Sequence, residues 1–240
     1  MLFRSFVAER DDVPLGTACS CVFGDIAWIN YVLVDRAQRG HGVGTALMRH
    51  VVRHLDERGI ATIRLDATAL GQPVYEKLGF IGDFNLTRWA GIFSLLSTEE
   101  VTAITHADLP AICLFDECVT RTRREKLLRH LYESNPVTAR AFIHDANLGG
   151  FCLVRPGANA WQVGPLQGSP QACQALLLDA ARRFAGQSVY LDVPTDHAQA
   201  VALVQAQGLT PQRSFLRMSR GRPVREDLTR FWTSFGPEKG

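Results

Sequence analysis

The sequence lacks a long apolar run, a closely spaced cysteine pair and an excess of charge of one sign. A membrane-spanning helix needs about 20 apolar residues, whereas the longest apolar run, around Ile26 to Val34, is interrupted by Asn30. The formal net charge of +2 argues against a role dominated by nucleic acid or a membrane surface. We therefore expect neither nucleic acid nor a membrane among the partners.

The six cysteines form no C-x-x-C pair, and the seven histidines are scattered. A zinc site would need four ligands at close spacing, so we expect no metal. The opening residues MLFRSFVAER lack the apolar stretch and cleavage site of a secretory signal. The expectation is a cytoplasmic protein with reduced thiols.

Hydrophobic periodicity predicts alternating strands and helices. The predicted elements of the first part are strands at Phe3–Glu9, Leu15–Phe23 and Ile26–Asp35, a helix from Val43 to a cap at Gly59, a strand at Ile60–Asp66, a short helix at Pro73–Leu78 and a strand at Phe80–Trp89. This order indicates an α/β fold with a mixed sheet flanked by helices.

The same order recurs weakly in the second half of the chain. The segment IRLDA (63–67) resembles VYLDV (189–193), and Arg88 falls opposite Arg217. We therefore predict two domains, 1–95 and 96–240, with a boundary near Ser94 to Glu100. Roughly 40 residues that open the second domain, a strand and two helices, have no counterpart in the first. Either the first domain is shortened at its amino end, or it functions without that segment.

A glycine-rich segment, RGHGVGT (39–45), links a buried strand to an amphipathic helix. Glycines let the backbone approach an anion, and the amides of a helix start point towards it. A nucleotide P-loop would need a lysine after the last glycine. A dinucleotide fold would place Asp66 suitably but would need G-x-G-x-x-G. The residues leave two more interpretations open, a coenzyme A site and a plain turn with glycine caps.

Two segments in order carry a family resemblance. VLVDRAQRGHGVGTALM (32–48), followed by VYEKLGF (74–80), resembles the GNAT superfamily of acetyl-CoA-dependent N-acetyltransferases. The whole chain is similar to bacterial tandem-GNAT proteins with a first domain shortened at its amino end. The resemblance implies two tandem GNAT-like domains, acetyl-CoA as co-substrate without a metal, and a small-molecule or peptide amine as acceptor.

The resemblance also implies a set of cofactor-binding residues. The backbone of the central strand would pair with the pantetheine arm, and the glycine-rich turn would hold the pyrophosphate. The implied residues are Leu33, Val34, Arg39, Gly40, His41, Gly42, Val43, Gly44, Thr45, Thr68 and Tyr75. The second half has GPLQGSPQ (164–171) at the equivalent place, without a glycine cradle, so we expect no coenzyme A there.

Tyr75 and Asn30 are the implied catalytic residues. Tyr75 matches the tyrosine that protonates the departing thiolate in many members, and its alternative is a helix residue that packs on the sheet. Many relatives place a glutamate base at positions that are Trp28 and Asn30 here, so Asn30 would position a water or the acceptor. The base stays open, with the carboxylates Asp25, Asp66 and Asp116 as candidates.

The expected function is therefore N-acetyl transfer by direct attack of the amine on the thioester. The alternative is a non-catalytic acetyl-CoA-binding or regulatory module with an incomplete acceptor site. The exposed edge of the strand at Phe3–Glu9 would suit a partner chain, so both a monomer and a homodimer stay open.

Overall fold

The computed structural model describes residues 2–94 and 101–238. Its strands and helices, in chain order, are β1 (Leu2–Arg10), β2 (Val13–Phe23), β3 (Ile26–Val34), α1 (Val43–Glu57), β4 (Thr62–Ala67), α2 (Gln72–Glu76), β5 (Ile81–Gly91), β6 (Thr102–Ala103), α3 (Leu109–Thr120), α4 (Glu125–Ser134), β7 (Arg140–His144), β8 (Asn147–Pro156), β9 (Trp161–Gly168), α5 (Pro170–Arg183), β10 (Val189–Pro194), α6 (Ala198–Ala206), β11 (Thr210–Gly221) and β12 (Phe231–Thr233). Across the described ranges, no helix is long and apolar enough to span a membrane. The predicted α/β class with mixed sheets is confirmed.

The described residues form two compact units, each of which includes a strand from the other half of the chain. The first unit comprises 2–84, 215–224 and 237–238, and the second comprises 85–94, 101–214 and 225–236. Most of the predicted boundary, residues 95–100, lies outside the described residues, and the division into domains 1–95 and 96–240 stays a prediction. The compact units divide the chain differently. Strand β11, from the second half, belongs to the sheet of the first unit, and β5, from the first half, belongs to that of the second, so these two strands are exchanged.

The strand order is equivalent in the two units. In the first it is β1-β2-β3-β4-β11, and in the second β7-β8-β9-β10-β5, with β6 beside β7 and β12 beside β9. The central pair is parallel in both, β3 with β4 and β9 with β10. The exchanged strand is antiparallel to its neighbour in both, β11 with β4 and β5 with β10. The repeat predicted from the sequence therefore corresponds to a repeated topology.

Helix α1 covers one face of the first unit's sheet. Its buried side chains recur at helical spacing and pack against strand residues such as Ile29, Ile63 and Leu65. The helix ends before Gly59, whose φ of 71° is the left-handed conformation that favours glycine at a helix terminus. The predicted helix and its glycine stop are confirmed.

A buried Arg–Asp pair joins each exchanged strand to its neighbour. Arg217 lies directly opposite Asp66, with Nε 2.9 Å from Oδ1, and both side chains are fully buried. In the second unit Arg88 lies opposite Asp192, with Nε 2.7 Å from Oδ1. These are the repeat positions recognised in the sequence. The two pairs fix the register of the exchanged strands, since a shift would leave a buried charge without its partner.

We expect Arg217→Ala to lower the free energy of unfolding by about 3–5 kcal/mol, because it leaves the buried carboxylate of Asp66 without its partner. Arg220→Ala on the same strand is the control. Its ion pair with Asp56 is partly exposed, so its loss should cost at most about 1 kcal/mol. Urea unfolding measures both, and equal losses would contradict a special role for the buried pair.

Candidate active site

Strand β3 separates from β4 halfway along its length. The pairing between them runs from Ile26 to Trp28 only, whereas β3 remains paired with β2 as far as Val34. Between the pairs Cys19–Asn30 and Thr17–Leu33, two residues of β3 stand opposite one of β2, which is a β-bulge. Tyr31 within it has a φ of 49°. Because a bulge bends its strand, β3 diverges from β4 at this point.

The amino terminus of α1 presents backbone amides without a side-chain cap. Gly40 and Gly42 have φ of 80° and 83°, and a Cβ at either would meet nothing within 4 Å. Glycine is therefore required by the backbone conformation and not by space. Among the described residues no side chain caps this end, and the first turn holds no acidic residue. The partial positive charge of the helix start is left available for an anion.

The diverging strand, the start of α1 and the short helix α2 enclose a cavity of about 410 Å³. Its lining residues are Val32, Leu33, Val34, Gln38, Arg39, Gly40, Gly42, Val43, Gly44, Thr45, Met48, Thr68, Leu70, Gly71, Val74 and Tyr75. Arg39 is the one charged residue in this lining, within the part of the chain that the structure describes, and its Nε donates to the carbonyl of Val34 at 3.2 Å. The lining is therefore mostly apolar and carries one positive side chain.

Tyr75, on α2, also lines the cavity. Its backbone N–H donates to the carbonyl of Gly71 at 3.3 Å, and its ring lies 6.2 Å from that of Phe80. Burial raises the pKa of the Tyr75 phenol above its ordinary value of 10.0. The hydroxyl therefore keeps its proton at neutral pH.

The cavity contains nearly all the predicted cofactor-binding residues. Every one of them except His41 lines it, and His41 is an exposed residue of the turn. The sequence reasoning missed Val32, Gln38, Met48, Leu70, Gly71 and Val74. The sequence could have indicated these residues, because each lies within a few positions of a predicted one. The cofactor role of each residue stays a prediction.

Asn30 lies outside the cavity lining. Its side chain is buried, and its Nδ2 donates to the carbonyl of Glu238 at 2.7 Å. Beside it, Nε1 of Trp28 donates to the carbonyl of Pro237 at 3.3 Å. The two positions that the family resemblance singled out for a base therefore donate hydrogen bonds to the main chain of residues 237–238. The positioning role of Asn30 stays a prediction.

The three carboxylates considered as bases are each paired with an arginine. Asp25 pairs with Arg222, Asp66 with Arg217, and Asp116 with Arg124. None of the three lines the cavity. Each of these carboxylates is therefore engaged in an ion pair and lies outside the cavity lining.

The cavity fits a long ligand with an anionic group at one end. Uncapped amides and Arg39 suit a diphosphate. The divergent edge of β3 offers main-chain groups to an extended, amide-bearing chain. Coenzyme A has both features, so the residues present are compatible with it.

Family models match both halves of the chain. The acetyltransferase (GNAT) family model matches residues 3–80. An acetyltransferase (GNAT) domain model matches residues 112–233, more than half of the 240 residues. Members of this family transfer acetyl groups from acetyl-CoA to amine acceptors.

Similar proteins agree with this assignment. The "Uncharacterized N-acetyltransferase YitH" of Bacillus subtilis is 26% identical over 193 residues, which are 76% of this chain and 67% of that protein. The structure of a putative acetyltransferase from Pyrococcus horikoshii has a TM-score of 0.82 at 22% identity, covering 98% of this chain and 80% of that one. A tandem GNAT protein from the clavulanic acid biosynthesis pathway has a TM-score of 0.62 at 14% identity, covering 93% and 84%. At such identities the two structures show the fold alone. The family matches show that the chain is an acetyltransferase of the GNAT family, with two GNAT units in tandem.

Proposed function

We propose that the first unit binds acetyl-CoA in its cavity and transfers the acetyl group to an amine of a small molecule or peptide. The observation that carries this proposal is the uncapped start of α1 beside the cavity, with Gly40 and Gly42 in left-handed conformations. An anion is the natural partner of such a helix terminus. Arg39 adds a full positive charge at the same end of the lining.

The amides of Val43, Gly44 and Thr45 are the first three of α1 and have no partner within the helix. In the proposed complex they donate to the diphosphate oxygens. Arg39, whose Nε is anchored on Val34, directs the rest of its guanidinium to the same group. Backbone donors of this kind hold charge without any rearrangement of side chains.

The edge of β3 beyond Trp28 is the proposed seat of the pantetheine arm. This edge has no pairing with β4 in the described ladders. The main chain of Leu33 and Val34 can therefore pair with the amides of an extended ligand in the manner of an added strand. The apolar side chains around it exclude water from the arm.

Tyr75 is the proposed general acid. Acetyl-CoA would supply the activated thioester: a C–N bond to the amine forms as the C–S bond breaks, Tyr75 donates its proton to the departing sulfur, and the proton lost by the amine restores the phenol. A phenol whose pKa is raised by burial holds that proton throughout the physiological range, so the acid form is always ready.

The second unit offers a weaker anion site at the equivalent helix. There Ser169 caps α5, and its Oγ accepts from the amide of Ala172 at 3.2 Å. That side chain already satisfies an amide that the first unit leaves for a ligand. We propose that coenzyme A binds to the first unit alone.

Gly42→Asp should abolish stabilisation by acetyl-CoA, because it places a negative charge beside the proposed diphosphate. At a ligand concentration 100 times Kd, the unaltered protein should gain about 2.7 kcal/mol in the free energy of unfolding, and the variant should gain nothing. Thermal unfolding with and without acetyl-CoA measures this.

The matched control is Gly59→Asp, at the other end of the same helix. Gly59 has a similar φ of 71°, and a Cβ there also meets nothing within 4 Å. Both variants therefore carry a similar backbone cost of about 1 kcal/mol, but Gly59→Asp should keep the full ligand response. Loss of the response in both, or in neither, would contradict the proposed diphosphate site.

Tyr75→Phe should lower kcat by about 100-fold or more, because it removes the proton donor, and it should leave the Kd for acetyl-CoA unchanged. Release of free thiol with a panel of polyamines, amino acids, aminoglycosides and peptide amino termini measures turnover. Tyr190→Phe, in the second unit, is the control for removal of a hydroxyl. Unchanged turnover in Tyr75→Phe would exclude the acid role, and binding without turnover across the panel would favour the non-catalytic module.

Tyr75 should titrate above the ordinary tyrosine pKa of about 10. At a pH between the pKa of Tyr75 in the unfolded chain and its higher pKa in the native protein, the native state keeps a proton that the unfolded chain has released. The free energy of unfolding therefore falls as the pH rises above about 10. Difference absorbance of tyrosinate, taken between the unaltered protein and Tyr75→Phe, isolates this one of the four tyrosines. A difference curve centred at or below about 10 would contradict the burial of the phenol.

A further inference from the structure

Gly71 stands one helical turn before Tyr75 and has no backbone reason to be glycine. Its φ of −83° and ψ of −30° are right-handed helical values that any residue adopts. This distinguishes it from Gly40 and Gly42, whose φ are positive. It occupies the N-cap of α2, where a serine or aspartate side chain would ordinarily stabilise the helix by about 1 kcal/mol. The absence of a side chain at this position therefore needs another explanation.

The explanation lies in the space taken by Tyr75. A Cβ built on Gly71 would lie 2.8 Å from Cε2 of Tyr75, 3.0 Å from Cζ and 3.0 Å from the hydroxyl oxygen. Carbon atoms pack at about 3.5–4.0 Å, so even a methyl group would displace the ring by about 1 Å. The hydroxyl oxygen itself is one of the three nearest atoms, so the displacement would move the atom that holds the proton.

We propose that Gly71 is the positioning residue for Tyr75: its bare Cα lets the phenol ring lie over the start of α2, with the hydroxyl at the wall of the cavity. Both residues line this cavity. The consequence for catalysis rests on the proposed function, since it matters only where Tyr75 donates the proton. The consequence for the ring position stands on the contacts alone.

The test is Gly71→Ala, read first by the titration of Tyr75. A methyl group that pushes the ring out of its partly buried place should move the pKa of Tyr75 back towards about 10. The tyrosinate difference curve against Gly71→Ala/Tyr75→Phe measures this without acetyl-CoA or turnover. Gln72→Ala is the control, because Gln72 is the next residue, bonds to Glu76 on the surface and does not line the cavity. That control should leave the titration unchanged.

The second reading is kinetic. Gly71→Ala should lower kcat by about 10- to 100-fold, the range expected for a misplacement of about 1 Å, with an unchanged Kd for acetyl-CoA. In the Tyr75→Phe background it should cost nothing more, because the hydroxyl it misplaces is already gone.

An unchanged tyrosine titration in Gly71→Ala would overturn the proposal. A shifted titration with unchanged kcat would overturn the positioning role in catalysis. If the unaltered protein neither binds acetyl-CoA nor turns over, the proposed function fails, and the titration alone still decides whether Gly71 sets the position of the phenol.

Discussion

The divergence of β3 from β4 is the constraint on which the candidate site depends. The two strands pair only as far as Trp28, and the bulge that contains Tyr31 begins after Asn30. Without the divergence, the edge of β3 would be closed by hydrogen bonds to β4, and the main-chain groups of Leu33 and Val34 would face another strand. With it, the strand edge, the start of α1 and the phenol of Tyr75 border one cavity.

On its other edge β4, from which β3 diverges, pairs with the exchanged strand β11. β11 lies on the far side of β4 and is held in register by Arg217 and Asp66. The same arrangement, with Arg88 and Asp192, recurs in the second unit. The sheet framework is thus duplicated, whereas the helix start is not, since Ser169 caps α5 and nothing in the described residues caps α1. The repeated sheet framework and the difference between the two helix starts are therefore separate features of the chain.

Much of this could be predicted from the sequence where the determining contacts are local. Helix α1, its glycine stop and the left-handed turn at Gly40 and Gly42 follow from spacing and from the conformational freedom of glycine. The repeat revealed Asp66 and Arg217 as positions equivalent to Asp192 and Arg88. The repeat did not reveal the exchange of strands, because a pair of Asp66 with Arg88 and a pair of Asp66 with Arg217 would both satisfy the repeated pattern. In the structure Asp66 pairs with Arg217, 151 residues away along the chain.

The rest of the site depended on contacts that the sequence does not display. The positioning role expected of Asn30 stays a prediction, and its amide donates to the carbonyl of Glu238, 208 residues away, a contact that no local pattern displays. The sequence does not single out Gly71, because a glycine at a helix start is ordinary, and the reason proposed for it lies in the orientation of the Tyr75 ring. Side-chain orientation across a turn is set by packing, which no local pattern encodes.

The proposed chemistry requires that the cavity of the first unit hold coenzyme A by its diphosphate at the start of α1. A crystal structure of the full chain grown with coenzyme A is the decisive test. We predict diphosphate oxygens within hydrogen-bond distance of the amides of Val43, Gly44 and Thr45, and no coenzyme at α5. Density for the cofactor at the second unit, or an empty cavity at saturating ligand, would contradict this assignment.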